Sequence, residues 1–124
     1  MKRLIPAAIL FVLVITAYIT SLLYITNSCD KTKALLDVSV TAYKENKTAQ
    51  KEAKEIENFW NKKEPLLSVF VNHDRIDDIE TAISLLNVYA KMPDNDLFYE
   101  YADNVKILIH QIMEDTEFTM HSIF

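Results

Sequence analysis

The chain has 124 residues, with 13 Lys and Arg against 18 Asp and Glu, no Gly, three Pro and one Cys. The net charge of -5 argues against a nucleic-acid ligand, and a lone Cys excludes an intramolecular disulfide. Without Gly the chain lacks the turn chemistry of sandwiches, barrels and phosphate-binding loops, which leaves an all-helical fold.

Lys2 and Arg3 precede an uncharged, mostly apolar run that starts at Leu4, passes through Ile15 and ends at Ile25. As a helix it would cover about 33 Å, slightly more than the roughly 30 Å of bilayer hydrocarbon. Thr16, Thr20 and Ser21 can return their hydroxyls to carbonyls one turn back, Tyr18 and Tyr24 suit a headgroup layer, and the basic pair favours a cytoplasmic N-terminus. A retained anchor is preferred over a cleaved signal, whose apolar core is usually about 7 to 15 residues. It is also preferred over lipid modification of Cys29, because Thr26-Asn27-Ser28 lacks the usual Leu three positions upstream. The expected organisation is a transmembrane segment over residues 1–29 and an extracytoplasmic helical domain over residues 30–124.

From Lys31 to Lys63 a stripe at Leu35, Val38, Ala42, Asn46, Ala49, Ala53, Ile56 and Trp60 recurs at intervals of three and four. That pattern predicts one buried helix face, thinly apolar in its middle and able to run on from the anchor through Trp60. The same stripe is a candidate surface for homo-oligomerisation, with Asn46 as a register-setting amide or as part of an exposed stalk. Trp60 itself is read as core in preference to an exposed partner anchor.

Pro65 predicts a break or a fresh first turn, followed by a compact apolar patch of Leu66, Leu67, Val69, Phe70 and Val71 in a helical turn or two. Asp74, with Asp77 three residues later, resembles an N-cap and an acidic first turn. Ile76, Ile79, Ile83, Leu86 and Ala90 then share one helical face. Met92-Pro93-Asp94-Asn95-Asp96 is the clearest loop. A last helix carries Leu97, Phe98, Tyr101, Val105, Leu108, Ile109 and Ile112, and the apolar tail from Phe118 to Phe124 is expected to dock. The expected core includes Trp60, Phe70, Ile79, Ile83, Leu86, Tyr101, Val105 and Leu108.

At Trp60, the Leu66 to Val71 patch, His73, the Ile79 to Tyr89 helix and the closing Ser122-Ile123-Phe124, the chain resembles a small uncharacterised family from clostridia and related spore-forming Firmicutes. Members resemble it over nearly the whole length, with Ser122 standing where the family usually has Asn. The resemblance implies no activity and no catalytic residue. It implies a genomic neighbourhood shared with a larger, YetF-like membrane protein, and hence a partner of that kind.

Candidate chemistry is thin. Di-metal helical bundles use Glu-x-x-His at three-residue spacing, whereas His110 precedes Glu114, and Glu117 precedes His121, by four. No paired-Cys or zinc-peptidase pattern occurs either, and a Gly-free chain has poor means of building a nucleophile elbow with an oxyanion pocket. Eleven acids between Asp74 and Glu117, against Arg75, Lys91 and Lys106, are read as solvated faces, with a cation- or ligand-sensing face as the alternative. No cofactor is expected.

The reading is therefore an all-α chain: an N-terminal transmembrane helix followed by a small up-and-down bundle of three or four helices. The expected function is that of a non-enzymatic accessory protein in the cell membrane, single-pass, in contact with lipid and with a larger integral membrane protein. Candidate contact residues are Trp60, His73, Asp74, Ile123 and Phe124.

Overall fold

The computed structural model describes residues 2–123, with side chains as far as Phe118. It consists of α1 (Leu4–Asn46), α2 (Gln50–Phe70), α3 (His73–Ala90) and α4 (Asp96–Ile123), and contains no strand among the described residues. Each helix packs on the next, and α4 closes the ring against α1. With connections this short, the four helices run alternately up and down.

Helix α1 has two different halves. From Leu4 to Thr20 its side chains are exposed, apart from half-buried Ile15 and Tyr18. From Ser21 onward one face is buried at Ser21, Leu22, Ile25, Ser28, Cys29, Thr32, Leu36, Ser39 and Tyr43, at intervals of one, three and four. The helix runs unbroken past Cys29 and Asp30, and residues 21–29 belong to the same core as the rest of the bundle.

The buried face of α1 is rotated by one residue from the expected stripe. Leu36, Ser39 and Tyr43 point inward, while Val38 is 55% exposed and Asn46 is exposed at the helix end. Side-chain volume decides this register. Ser28, Cys29, Thr32 and Ser39 are small enough for close approach between helices, a requirement that a count of apolar residues does not register. The Thr32 hydroxyl satisfies itself by donating to the Ser28 carbonyl at 2.8 Å.

The helix does not continue to Trp60. Lys47 takes a left-handed conformation with φ 66°, and its N–H donates to the Tyr43 carbonyl at 2.8 Å, closing α1 with the cap that glycine usually makes. In a chain without glycine another residue must adopt that backbone, at a cost of about 1–2 kcal/mol. The buried Ala49 is the N-cap residue just before α2, and its N–H donates to the Ala90 carbonyl at 3.0 Å, tying the start of α2 to the end of α3. Ala53 is also fully buried, and Asn87 Nδ2 donates to its carbonyl at 3.1 Å, so α2 and α3 meet closely through small residues.

Pro65 lies inside α2 instead of starting a new element. Its missing N–H leaves the Asn61 carbonyl without the usual partner, a defect worth about 3 kcal/mol or more in a helix interior. The fully buried Trp60 and Leu67 flank it and hold the helix on its path. Because α2 stays helical, the apolar patch is not compact: Leu67 faces the core, whereas Leu66, Val69 and Phe70 are 46%, 69% and 49% exposed. Phe70 is thus not a core residue, while Trp60, Ile79, Ile83, Leu86 and Val105 are, and Tyr101 and Leu108 are half-buried against them.

Helix α3 is capped by Asn72, not Asp74: the Asn72 Oδ1 accepts the Asp74 N–H at 2.9 Å. Asn95 caps α4 in the same way, accepting the Leu97 N–H at 3.0 Å. The far end of the bundle is closed by stacking of Tyr43 on Phe98, with ring centroids 4.0 Å apart.

Candidate functional site

The half of α1 that is buried and the half that is not meet at the base of the bundle, where α2 ends, α3 begins and α4 finishes. There α1 contributes Ala17, Tyr18, Ser21, Leu22 and Ile25 to a cleft of about 330 Å³. Phe70, Val71 and Asn72 from the α2–α3 connection and Ile112, Asp115 and Thr116 from α4 complete its walls. The volume falls in the usual range for small-molecule sites, and the lining is predominantly apolar. The hydroxyl of Tyr18 is shielded from solvent there and has no partner among the described residues. Ser21 turns its hydroxyl back to the Tyr18 carbonyl at 2.7 Å.

One wall is braced by Arg75. Its Nε lies 3.2 Å from Asp115 Oδ2, and its guanidinium also donates to Gln111 Oε1 at 2.6 Å, joining the first turn of α3 to α4. Beside the cleft, on the α1–α2 side, Lys63 Nζ lies 5.3 Å from the Tyr24 ring centroid and 5.6 Å from that of Phe59, and Lys31 approaches Phe59 at 5.8 Å. These cation–π contacts gather positive charge just below the point where α1 leaves the bundle.

The sequence-derived candidates fall at different places. Leu4 and Ile15 lie in the projecting half of α1, and Ile25 lies in the core. Trp60 is 1% exposed and belongs to the core, so it offers no surface anchor; its indole N–H has no hydrogen-bond partner among the described residues. His73 and Asp74 are exposed in the first turn of α3, at the base. Ile123 ends α4, its side chain and Phe124 lie outside the described residues, and Phe118 at the start of the tail is 74% exposed.

The sequence reading missed the cleft, since its walls come from three segments distant in the chain. Its one local signal is the small residues Ala17 and Ser21 facing apolar neighbours. His110 is a surface residue whose Nε2 lies 2.9 Å from Glu114 Oε1. Among the described residues no group of three or more His, Cys, Asp or Glu is placed to hold a metal ion.

By length and composition, α1 is able to cross a membrane, a property that an N-terminal signal sequence shares. The family model described as domain of unknown function (DUF4363) matches residues 19–123, beginning where α1 starts to pack into the bundle. No curated protein and no solved structure matches the chain.

Proposed function

The chain belongs to the DUF4363 family, a domain of unknown function, and from that premise we propose that it is a non-enzymatic, single-pass accessory protein of the cell membrane. Its N-terminus is cytoplasmic, its helical bundle is extracytoplasmic, and it holds a larger integral membrane protein of the envelope, of the YetF-like type. We place it among the short envelope proteins of clostridia and related spore-forming Firmicutes.

The observation that carries this reading is the division of α1. One continuous helix buries its second half in the bundle and leaves Leu4 to Thr20 exposed, with large apolar side chains such as Leu10, Phe11 and Leu13 each at least 60% accessible. An exposed apolar surface of that size calls for lipid or protein around it. Continuity of the helix then makes the bundle a rigid extension of the anchor, so a partner held in the bilayer also meets the bundle at a fixed height. Membrane tethering raises the local concentration of such a partner without requiring a large interface.

Crosslinking of the full-length protein in its native membrane, followed by recovery under denaturing conditions, tests the proposal. It predicts a covalent adduct with one larger integral membrane protein. Recovery of the monomer alone would overturn the accessory role.

A further inference from the structure

We propose that the base of the bundle is itself a lipid-binding surface, seated in the outer-leaflet interface with an acyl chain entering the cleft; this rests on the membrane-anchored reading above. The part of α1 that stands clear of the bundle is too short to span alone. Leu4 to Thr20 covers about 25 Å at 1.5 Å per residue, against about 30 Å of hydrocarbon. The missing length is about one helical turn, which brings the hydrocarbon boundary down to Leu23 and Tyr24.

Other parts of the bundle stand at that level, because Ser21, Leu22 and Ile25 share the cleft with Phe70, Val71, Ile112 and Thr116. Large apolar side chains are exposed there on three helices, alongside the exposed carboxylates Asp115 and Glu117 of α4. Ile19 and Leu23 on α1, Val69 and Phe70 on α2, and Phe118 on α4 are between 43% and 74% accessible. They come from three helices that surround one end of the bundle. The acidic first turn of α3, with Asp74 and Asp77, belongs to the helix diagonally opposite α1, and a tilt of about 20°, common for spanning helices, lifts that corner toward water.

The layer immediately below the boundary is matched to headgroups. Tyr24 is half-buried with Lys63 over its ring, and Lys62 beside it is exposed. An aromatic ring at the interface with ammonium groups reaching for phosphate is the arrangement that holds a protein at fixed depth. Phe70 belongs both to this exposed apolar group and to the predominantly apolar wall of the cleft, so a lipid chain is the occupant that the surroundings of the cleft supply.

The test uses nitroxide labels on the full-length protein in vesicles of phosphatidylethanolamine and phosphatidylglycerol, with collision accessibility to oxygen and to a water-soluble nickel chelate as the readout. Labels replace Val69→Cys and Phe118→Cys at the base, Val12→Cys within the anchor and Asp78→Cys as the aqueous reference; the native Cys29 is fully buried. The expected oxygen-to-nickel ratio at positions 69 and 118 is several-fold above that at position 78 and approaches that at position 12. Ratios at 69 and 118 equal to the aqueous reference, with position 12 still in lipid, overturn the seated base and leave the anchor standing. An aqueous ratio at position 12 as well overturns both.

Discussion

Tyr43 and Asn95, 52 residues apart in sequence, are joined through a single hydroxyl: the Tyr43 Oη accepts the Asn95 N–H at 2.8 Å and donates to the Met92 carbonyl at 2.6 Å. This bond pins the α3–α4 connection to the last turn of α1, at the end of the bundle away from the cleft. Tyr43 is 3% exposed, so both partners lose a shielded contact if the oxygen is removed. Tyr43→Phe should cost about 1–3 kcal/mol while leaving the stacking on Phe98 intact. Chemical denaturation of the full-length protein in detergent checks it, and an unchanged midpoint would count against a role for the hydroxyl in closing the far end.

Among the described residues, Lys47 and Asp94 are the two with left-handed backbones, at φ 66° and 54°. Their side chains meet at 3.8 Å, but both are largely exposed, so this pair adds little. The steric cost of the left-handed backbone outweighs it. Lys47→Gly is predicted to stabilise the fold by about 1 kcal/mol, read as a higher denaturation midpoint with an unchanged slope. A lower midpoint would mean that the α1–α2 turn is held by the lysine side chain.

Glu80 carries a raised pKa, first from burial and then from Glu64 on α2 and Asp77 on its own helix, partly offset by His73. Its folded-state value lies above the unfolded one, so the folded chain binds more protons in the window between them and stability falls as pH rises through it. Glu80→Gln should therefore raise the thermal midpoint at neutral pH. The advantage should vanish below the ordinary glutamate pKa of about 4.3, and a gain that persists there would point to a cause other than charge.

Cys29 faces the core below the projecting half of α1, where burial, and secondarily the neighbouring Asp30, push its thiol up to about 12. Alkylation requires the thiolate. The native protein should resist thiol reagents at neutral pH and react when denaturant opens the bundle, with the labelling rate following the unfolding curve. Rapid labelling of the folded protein would show that α1 is not packed along this face.

The all-helical fold and its order were legible in the residues: an apolar first helix, the loop around Pro93, and the face of Ile79, Ile83 and Leu86 are where composition and spacing put them. The failures share a physical cause. Lys47 interrupts a periodic stripe without glycine or proline to mark the place, and Pro65 fails to interrupt a helix because Trp60 and Leu67 hold it. In both, tertiary contacts outweigh local propensity. The buried face of α1 differs by one residue from its apolar stripe because Ser and Thr count as polar while their small volume is what the packing uses. Apart from the small residues Ala17 and Ser21, the cleft left no mark in the sequence, because Tyr18, Phe70 and Thr116 become neighbours only when the ring of helices closes.

The central claim is that α1 is a retained anchor with its N-terminus inside and the bundle outside. Cysteine accessibility in intact cells of a native host tests it most directly, using a membrane-impermeant maleimide on full-length Asp78→Cys and Lys2→Cys variants. The account predicts labelling at position 78 from outside, labelling at position 2 only after lysis, and a full-length protein that stays in the membrane after alkaline washing. Labelling in the opposite sense, or release of a chain shortened at its N-terminus, would contradict it.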